Sequence, residues 1–382
     1  MNFRTEFARG LEGKNEGLSF GLPALDIELG GVQKRAIYGI CAGPKVGKTT
    51  FTDYSFVISP YLDYLELKKD PKYATLEIEW IYFSFEISRI KKEFKLVPYF
   101  LLKDHGIATF RHKSEVRDIS PQYLEGKLKD KDGERIIPCD EHIEAIMKVY
   151  EERIIPLFGE YDEEGNLIKP GFIRFVENKE NPTGLRNYIG RYSADNGRWV
   201  MRTENVGSSE KPEYREYRSH WVPNNPDKYT IIITDHLRKL LPERGMQKKE
   251  VVDKYIEYQV EFRNWCGFTF VDIIHLNRNM SDVNRLKYNN EFLYPTGDDI
   301  KDTGNLSEEA DYIITLMNPN DEKYGLSKHF GLQIKDTSND ETYPGYTSIH
   351  LVESRDTECP VHFRSIMQGN LNNFTELEES LY

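Results

Sequence analysis

Residues 42–50 read Ala42-Gly43-Pro44-Lys45-Val46-Gly47-Lys48-Thr49-Thr50. An apolar run, Ala36–Cys41, precedes them, and Thr50–Ile58 can continue as a helix. This is the spacing of a phosphate-binding loop, G-x-x-x-x-G-K-[ST], with Ala42 in the first glycine position and Gly43 beside it. Each residue type has a physical task. Gly43 and Gly47 let the backbone curl until its N–H groups face an anion. A helix starting there adds the positive end of its dipole. The Lys48 ammonium suits the β- and γ-phosphates, and the Thr49 hydroxyl suits Mg2+. The expected ligands are therefore a nucleoside triphosphate, ATP first among them, and Mg2+.

Composition bounds what surrounds this loop. The chain has 382 residues, enough for one large α/β domain or two domains. Its 24 tyrosines and 20 phenylalanines are ample for a core. The net charge of −12 argues against a surface coated for nucleic acid, though a locally basic channel remains compatible with it. Cys41, Cys139, Cys266 and Cys359 lie far apart, without the spacing of a metal site, and suit a reduced cytoplasmic compartment. No run reaches membrane-spanning length and the start has no apolar leader, so a soluble, cytoplasmic protein is expected.

Outward from the loop, apolar runs alternate with helical patterns. Residues 1–17 are polar and glycine-containing and read as an arm before a domain spanning 18–382. Pro23–Leu29 is a short helix closed by Gly30-Gly31. Trp80–Glu86, Phe172–Val176, Thr230–Asp235, Phe268–His275 and Ala310–Met317 read as strands. Helices are expected from Ser88 up to Pro98, from Pro182 onward, and over about 247–265. Gly331–Ile334, Ser348–Glu353 and Val361–Met367 alternate and suit an antiparallel extension. The pattern predicts a mostly parallel sheet flanked by helices, with its site at the carboxyl edge. The segment from about 104 to 228 fits the alternation least and reads as insertions around a core strand and helix. It includes a hairpin signal, Asp195-Asn196-Gly197.

Phosphoryl transfer to water needs a phosphate cradle, Mg2+, a carboxylate for the metal, a base, and cations for developing charge. Asp235 ends the Ile231-Ile232-Ile233-Thr234 run and is the candidate metal carboxylate with Thr49; a helix N-cap is the alternative. Glu86, after Tyr82–Phe85, is the candidate base, or a capping carboxylate before Ser88. His275 ends another strand and either senses the γ-phosphate or is simply hydrogen-bonded. Arg355, taken alone, is an ordinary surface arginine.

Together these pieces resemble the ATPase domain of hexameric replicative helicases of the DnaB type, within the RecA-like ATPases. Gly21-Leu22-Pro23-Ala24-Leu25-Asp26 and Leu29-Gly30-Gly31 resemble that family's opening motif. Phe83-Ser84-Phe85-Glu86-Ile87-Ser88 resembles FSLEMS, whose glutamate is the catalytic base. Asp235-His236-Leu237 resembles its D-Y-L. Ile274-His275-Leu276-Asn277-Arg278 resembles SQLNR, with His275 in place of the γ-phosphate-sensing glutamine. Asp298–Asp311 resembles the segment after the second DNA-facing loop. Val352-Glu353-Ser354-Arg355-Asp356 resembles K-x-R-N-G, which implies that Arg355 reaches the γ-phosphate of a neighbouring subunit, with Glu353 replacing the paired lysine. The interval from Glu86 to Asp235 is longer than that family's, and no counterpart of its N-terminal helical domain is seen, which suits a phage or mobile-element protein.

The resemblance implies a homo-oligomer, a hexameric ring, that hydrolyses ATP at subunit interfaces. It also implies 5′-to-3′ movement on single-stranded DNA, duplex unwinding, and a primase or loader as partner. DNA would meet the loops after the strands of Asp235 and His275. These hold Arg238, Lys239, Arg244, Lys248 and Lys249, then Arg278, Asn279, Arg285, Lys287, Tyr288, Asn289 and Asn290. The Arg-, Tyr- and Trp-rich stretch Arg186–Trp221 suits base stacking or a protein partner equally. Two other functions remain open: a RecA-like recombinase or DNA-binding switch without unwinding, and a loader or signalling ATPase without DNA.

Overall fold

A computed structural model of the protein describes residues 3–208, 211–276, 286, 290–300, 304–334 and 344–377. α1 (Phe3–Leu11) and α2 (Pro23–Leu29) precede β1 (Ile37–Ala42). After the phosphate loop, α3 (Lys48–Asp53) passes through a π-helical turn (Tyr54–Ile58) into α4 (Ser59–Leu67). There follow β2 (Glu77–Ser84), α5 (Arg89–His105), α6 (Asp140–Val149), β3 (Ile173–Val176) and α7 (Pro182–Asn196). A ribbon of β4 (Gly197–Asn205) and β5 (Tyr214–Pro223) leads to β6 (Lys228–Asp235), α8 (Lys248–Cys266) and β7 (Thr269–His275). β8 (Tyr312–Met317), β9 (Tyr346–Ser354), β10 (Val361–Gln368) and β11 (Asn373–Glu376) complete the chain.

Nine of these strands form one sheet in the order β11-β10-β9-β8-β1-β7-β6-β2-β3. From β8 to β3 all pairings are parallel, and β9, β10 and β11 add an antiparallel extension. This is the RecA-like α/β architecture expected from the sequence. β1 sits between β7 and β8, and all six of its residues are buried. A strand covered on both faces must be apolar without alternation, and Ile37–Ala42 is so. Its side chains divide between two cores. Tyr38, Ile40 and Ala42 join Phe20, Phe51, Phe56, Leu96 and Phe100 on one face. Ile37 and Cys41 join Leu185, Tyr255, Ile256 and Phe270 on the other.

The helices are set by local signals. Asn181 Oδ1 accepts from Gly184 N at 2.8 Å and Pro182 opens α7. Gln247 and Glu250 form a reciprocal capping box on α8, and Gly267 closes it at φ 74°. Ser88 stands before α5 but makes no side-chain cap; the Glu177 carboxylate takes the Arg89 N–H instead.

The helix expected after the phosphate loop is present and runs on past Ile58 to Leu67. Three local expectations are corrected. α5 continues through Pro98 to His105, because Leu96, Val97, Pro98, Phe100 and Leu101 are all buried against the core and tertiary packing overrides the break. Residues Leu332–Gln333 pair with Lys328–His329 in a separate two-stranded sheet and do not join the extension. Asn196-Gly197 is not the turn of the hairpin. Asn196 Nδ2 donates to Tyr192 O at 2.9 Å, ending α7, and Gly197 is the first residue of β4. The turn lies beyond Asn205, where Val206 N donates to Glu213 O.

Candidate functional site

Parallel strands deliver their carboxyl ends to one edge. Ala42 pairs with His275, and Asp235 with Ser84, so β1, β7, β6 and β2 finish side by side. The loops leaving them enclose a cleft of about 390 Å³ lined by Lys45, Gly47, Lys48, Thr49, Glu86, Asp235, His236 and His275. The glycine-rich loop, the base candidate, the candidate metal carboxylate and the histidine, far apart in the chain, therefore meet in one place.

The loop takes the expected left-handed backbone at Gly47 but not at Gly43. Lys45 and Gly47 have φ of 62° and 101°. The φ of Gly47 strains any other residue, and a Cβ there would also have to push aside Met367 of β10, whose Sδ would lie 2.3 Å away. Lys48 is buried and donates to the carbonyls of Ala42 (3.1 Å) and Gly43 (2.8 Å). Burial lowers its pKa to about 8, outweighing the more distant pull of Asp235 and Glu86. An anion in the cradle would supply the missing counter-charge.

Asp235 is buried, and burial holds its carboxyl above the usual range against the pull of Lys92 and Lys95. Its Oδ2 has no hydrogen-bond partner among the described residues. A buried, orphaned carboxylate oxygen is costly unless a cation or ligand completes it. With the Thr49 hydroxyl lining the same cleft, this donor set fits Mg2+ in its usual oxygen environment.

Glu86 is half-exposed at the mouth. Its Oε1 lies 3.3 Å from His236 Nε2 and 3.3 Å from Lys239 Nζ. Partial burial pushes the carboxyl up, but these two neighbours outweigh it and its pKa falls below the ordinary value. His236 itself is lowered by burial, so at neutral pH it is a neutral donor and Lys239 supplies the charge. The His236 ring stands edge-on to His275 at 4.8 Å between centroids. Burial lowers His275 to about 4, which keeps it neutral, and its Nδ1 has no partner among the described residues.

Beneath the cleft lies a buried charge cluster. Asp53 of α3 accepts from Lys92 Nζ (2.9 and 3.1 Å), Lys95 Nζ (3.0 Å) and Tyr82 OH (3.0 Å), and Lys92 also donates to Tyr82 OH (2.8 Å). Burial raises the Asp53 carboxyl, but the two ammonium groups more than offset it. The cluster ties the phosphate-loop helix to β2 and to α5, the elements flanking Glu86.

Arg355 lies elsewhere. Ser354 pairs with Tyr312, the first residue of β8, so Arg355 emerges at the edge of the sheet opposite the cleft. There its Nε lies 3.4 Å from Asp311, and its guanidinium donates to the carbonyls of Glu308 and Glu309. It cannot reach its own chain's phosphate loop.

Arg238, Lys239, Arg244, Lys248 and Lys249 are exposed around the loop between β6 and α8. Of the second basic stretch, Arg278, Asn279, Arg285, Lys287, Tyr288 and Asn289 lie outside the described residues. Much of Arg186–Trp221 serves packing. Arg186 pairs with Glu261, Tyr188 packs edge-on against Phe83, and Tyr192 and Trp221 are buried. Arg198, Arg202, Tyr214, Arg215 and Tyr217 remain exposed on the ribbon.

Sequence reasoning missed three contributors: His236, Lys239 as a partner of Glu86, and Met367. His236 carried a usable signal, since it directly follows the strand-ending Asp235. Met367 carried none, because only the antiparallel extension folds it over Gly47.

No protein-family model matches the chain, and no curated protein matches it in sequence. Solved structures do match in fold. A solved ATPase domain aligns at TM-score 0.60 and 14% identity over 98% of this chain and 96% of that one. A DnaB-like replicative helicase, described with its interactions with primase, aligns at TM-score 0.58 and 14% identity, over 98% of this chain and 66% of that chain. The chain therefore has the fold of a DnaB-type ATPase domain.

Proposed function

We propose that this protein is an ATP-hydrolysing, DnaB-like replicative helicase. In this proposal it works in the cytoplasm (a host's, if phage-encoded) as a hexameric ring on single-stranded DNA, alongside a primase or loader. The observation that carries it is the gathering of Lys48, Thr49, Glu86, Asp235 and His275 from four strand ends into one cleft of this fold. Within the cleft, backbone N–H groups of residues 45–49 and the Lys48 ammonium bind the phosphates. Lys48 leaves the carbonyls of Ala42 and Gly43 to do so, and regains a full counter-charge. Thr49 and Asp235 hold Mg2+, which when bound neutralises phosphate charge. Glu86 orients a water and takes its proton on a carboxylate oxygen. His275, neutral, offers a hydrogen bond to the terminal phosphate and relays its presence to His236.

Charge developing on the transferred phosphoryl group also needs a cation from outside. Arg355 stands at the opposite edge of the sheet, which supports a role at a neighbouring copy's cleft and a site completed only in the ring. The exposed cations after β6 support contact with DNA phosphates. Unwinding of a forked duplex by the wild-type chain, compared with Lys48→Ala, tests the proposal. ATP-dependent strand separation lost in the variant is expected. DNA-stimulated hydrolysis without strand separation would favour a recombinase-like switch instead.

A further inference from the structure

Lys239 faces two ways. It belongs to the exposed basic loop after β6, and its ammonium also lies 3.3 Å from Glu86 Oε1. The same oxygen lies 3.3 Å from His236 Nε2, so two donors from one loop hold the base candidate. Both are fixed close behind Asp235: Leu237–Lys239 is a single helical turn, with Lys239 N bonded to His236 O and Leu237 fully buried. The backbone of this turn is anchored, whereas the Lys239 side chain is half-exposed.

We propose that Lys239 is a positioning residue that restrains Glu86 until the phosphate backbone of single-stranded DNA draws its ammonium away. The inference rests on the helicase function proposed above and deepens it, because it assigns the coupling between DNA and hydrolysis to one side chain. A carboxylate engaged by an ammonium and an imidazole is a weaker base and cannot turn freely towards water. A half-exposed ion pair is weak and easily exchanged. A polyanion presents many competing partners for the same cation. The exchange thus releases Glu86 only when DNA occupies the loop. His236 stays with Glu86 throughout, since it is buried and cannot follow.

The test compares wild type, Lys239→Met and Lys239→Arg in steady-state ATP hydrolysis, with and without oligo-dT, across pH. Lys239→Met should raise DNA-free turnover by about two- to five-fold, the range a weak exposed pair can hold back, and the stimulation by oligo-dT should shrink by the same factor. Lys239→Arg should restore restraint and stimulation together. Glu86 is faced by His236 and Lys239 from the loop after β6, by His275 from β7 and by Lys48 from α3. Losing only Lys239 raises its pKa, so the acid limb of turnover in Lys239→Met should move to higher pH, a shift that a merely structural role would not give. Unchanged DNA-free turnover with intact stimulation in Lys239→Met overturns the inference. Absence of stimulation in the wild type would instead refute the helicase function, while a rise in DNA-free turnover of Lys239→Met would still establish the restraint.

Discussion

Lys92→Met probes the buried cluster under the candidate cleft. Lys92 and Asp53 are each 1% exposed, and the substitution removes three hydrogen bonds, two to Asp53 and one to Tyr82 OH. Methionine fills a similar volume, so the loss is electrostatic. Breaking one side of a buried ion pair costs about 3–5 kcal/mol, because a desolvated charge is left behind. Lys95 and Tyr82 still face Asp53, which places the loss at the lower end, about 3 kcal/mol. For a chain of this size roughly 2 °C is lost per kcal/mol, so the thermal midpoint should fall by about 6 °C. Asp53→Asn added to Lys92→Met takes the carboxylate away from Lys95 as well, so the double variant should melt no higher than Lys92→Met. A second consequence reaches the site. After burial, Lys92 is the strongest influence on Asp235 and pulls its raised carboxyl down. Without it Asp235 holds its proton to higher pH, and turnover should fail earlier as pH drops. Circular dichroism melts of the four chains of the cycle, with pH–rate profiles, decide the matter. A Lys92→Met melt within about 1 °C of wild type, typical of an inert surface change, would refute the reasoning.

Other substitutions separate the roles within the cleft. Lys48→Ala should abolish hydrolysis, since the phosphates lose their main counter-charge; unchanged turnover would remove the site. Glu86→Gln should lower turnover by roughly 10²–10⁴-fold while nucleotide binding, measured by fluorescent-nucleotide titration, persists. Arg355→Ala should stop hydrolysis with binding nearly intact, and unchanged hydrolysis would remove the arginine from the reaction. Lys48 has a pKa lowered by burial to about 8, so its charge is present below that value and lost above it. Nucleotide affinity should therefore weaken as pH rises through about 8, and a flat affinity up to about pH 10 would contradict this.

The parts legible in the sequence were those encoded locally. The phosphate loop, the carboxylate-ended strands and the capped helices each declare themselves within ten or so residues. Ala36–Cys41 and Thr230–Asp235 read as buried strands because both faces are covered. What stayed hidden depends on partners distant in the chain. Asp53 lies in an unremarkable helical stretch, and its ion pair needs α5 to pack against α3. Pro98 looked like a stop, yet the buried face around it carries α5 onward. Asn196-Gly197 has the composition of a hairpin turn, but the capped helix that begins at Pro182 arrives there first. The Arg–aromatic stretch looked like a binding surface, and tertiary packing claims much of it for the core.

In the proposed function, the cleft built around Lys48 hydrolyses ATP in response to single-stranded DNA. Phosphate release by the wild-type chain with Mg2+ and ATP, measured with and without oligo-dT, tests it most directly. Turnover that depends on Mg2+ and rises with oligo-dT is the predicted result. Hydrolysis indifferent to DNA, or none under either condition, would contradict it.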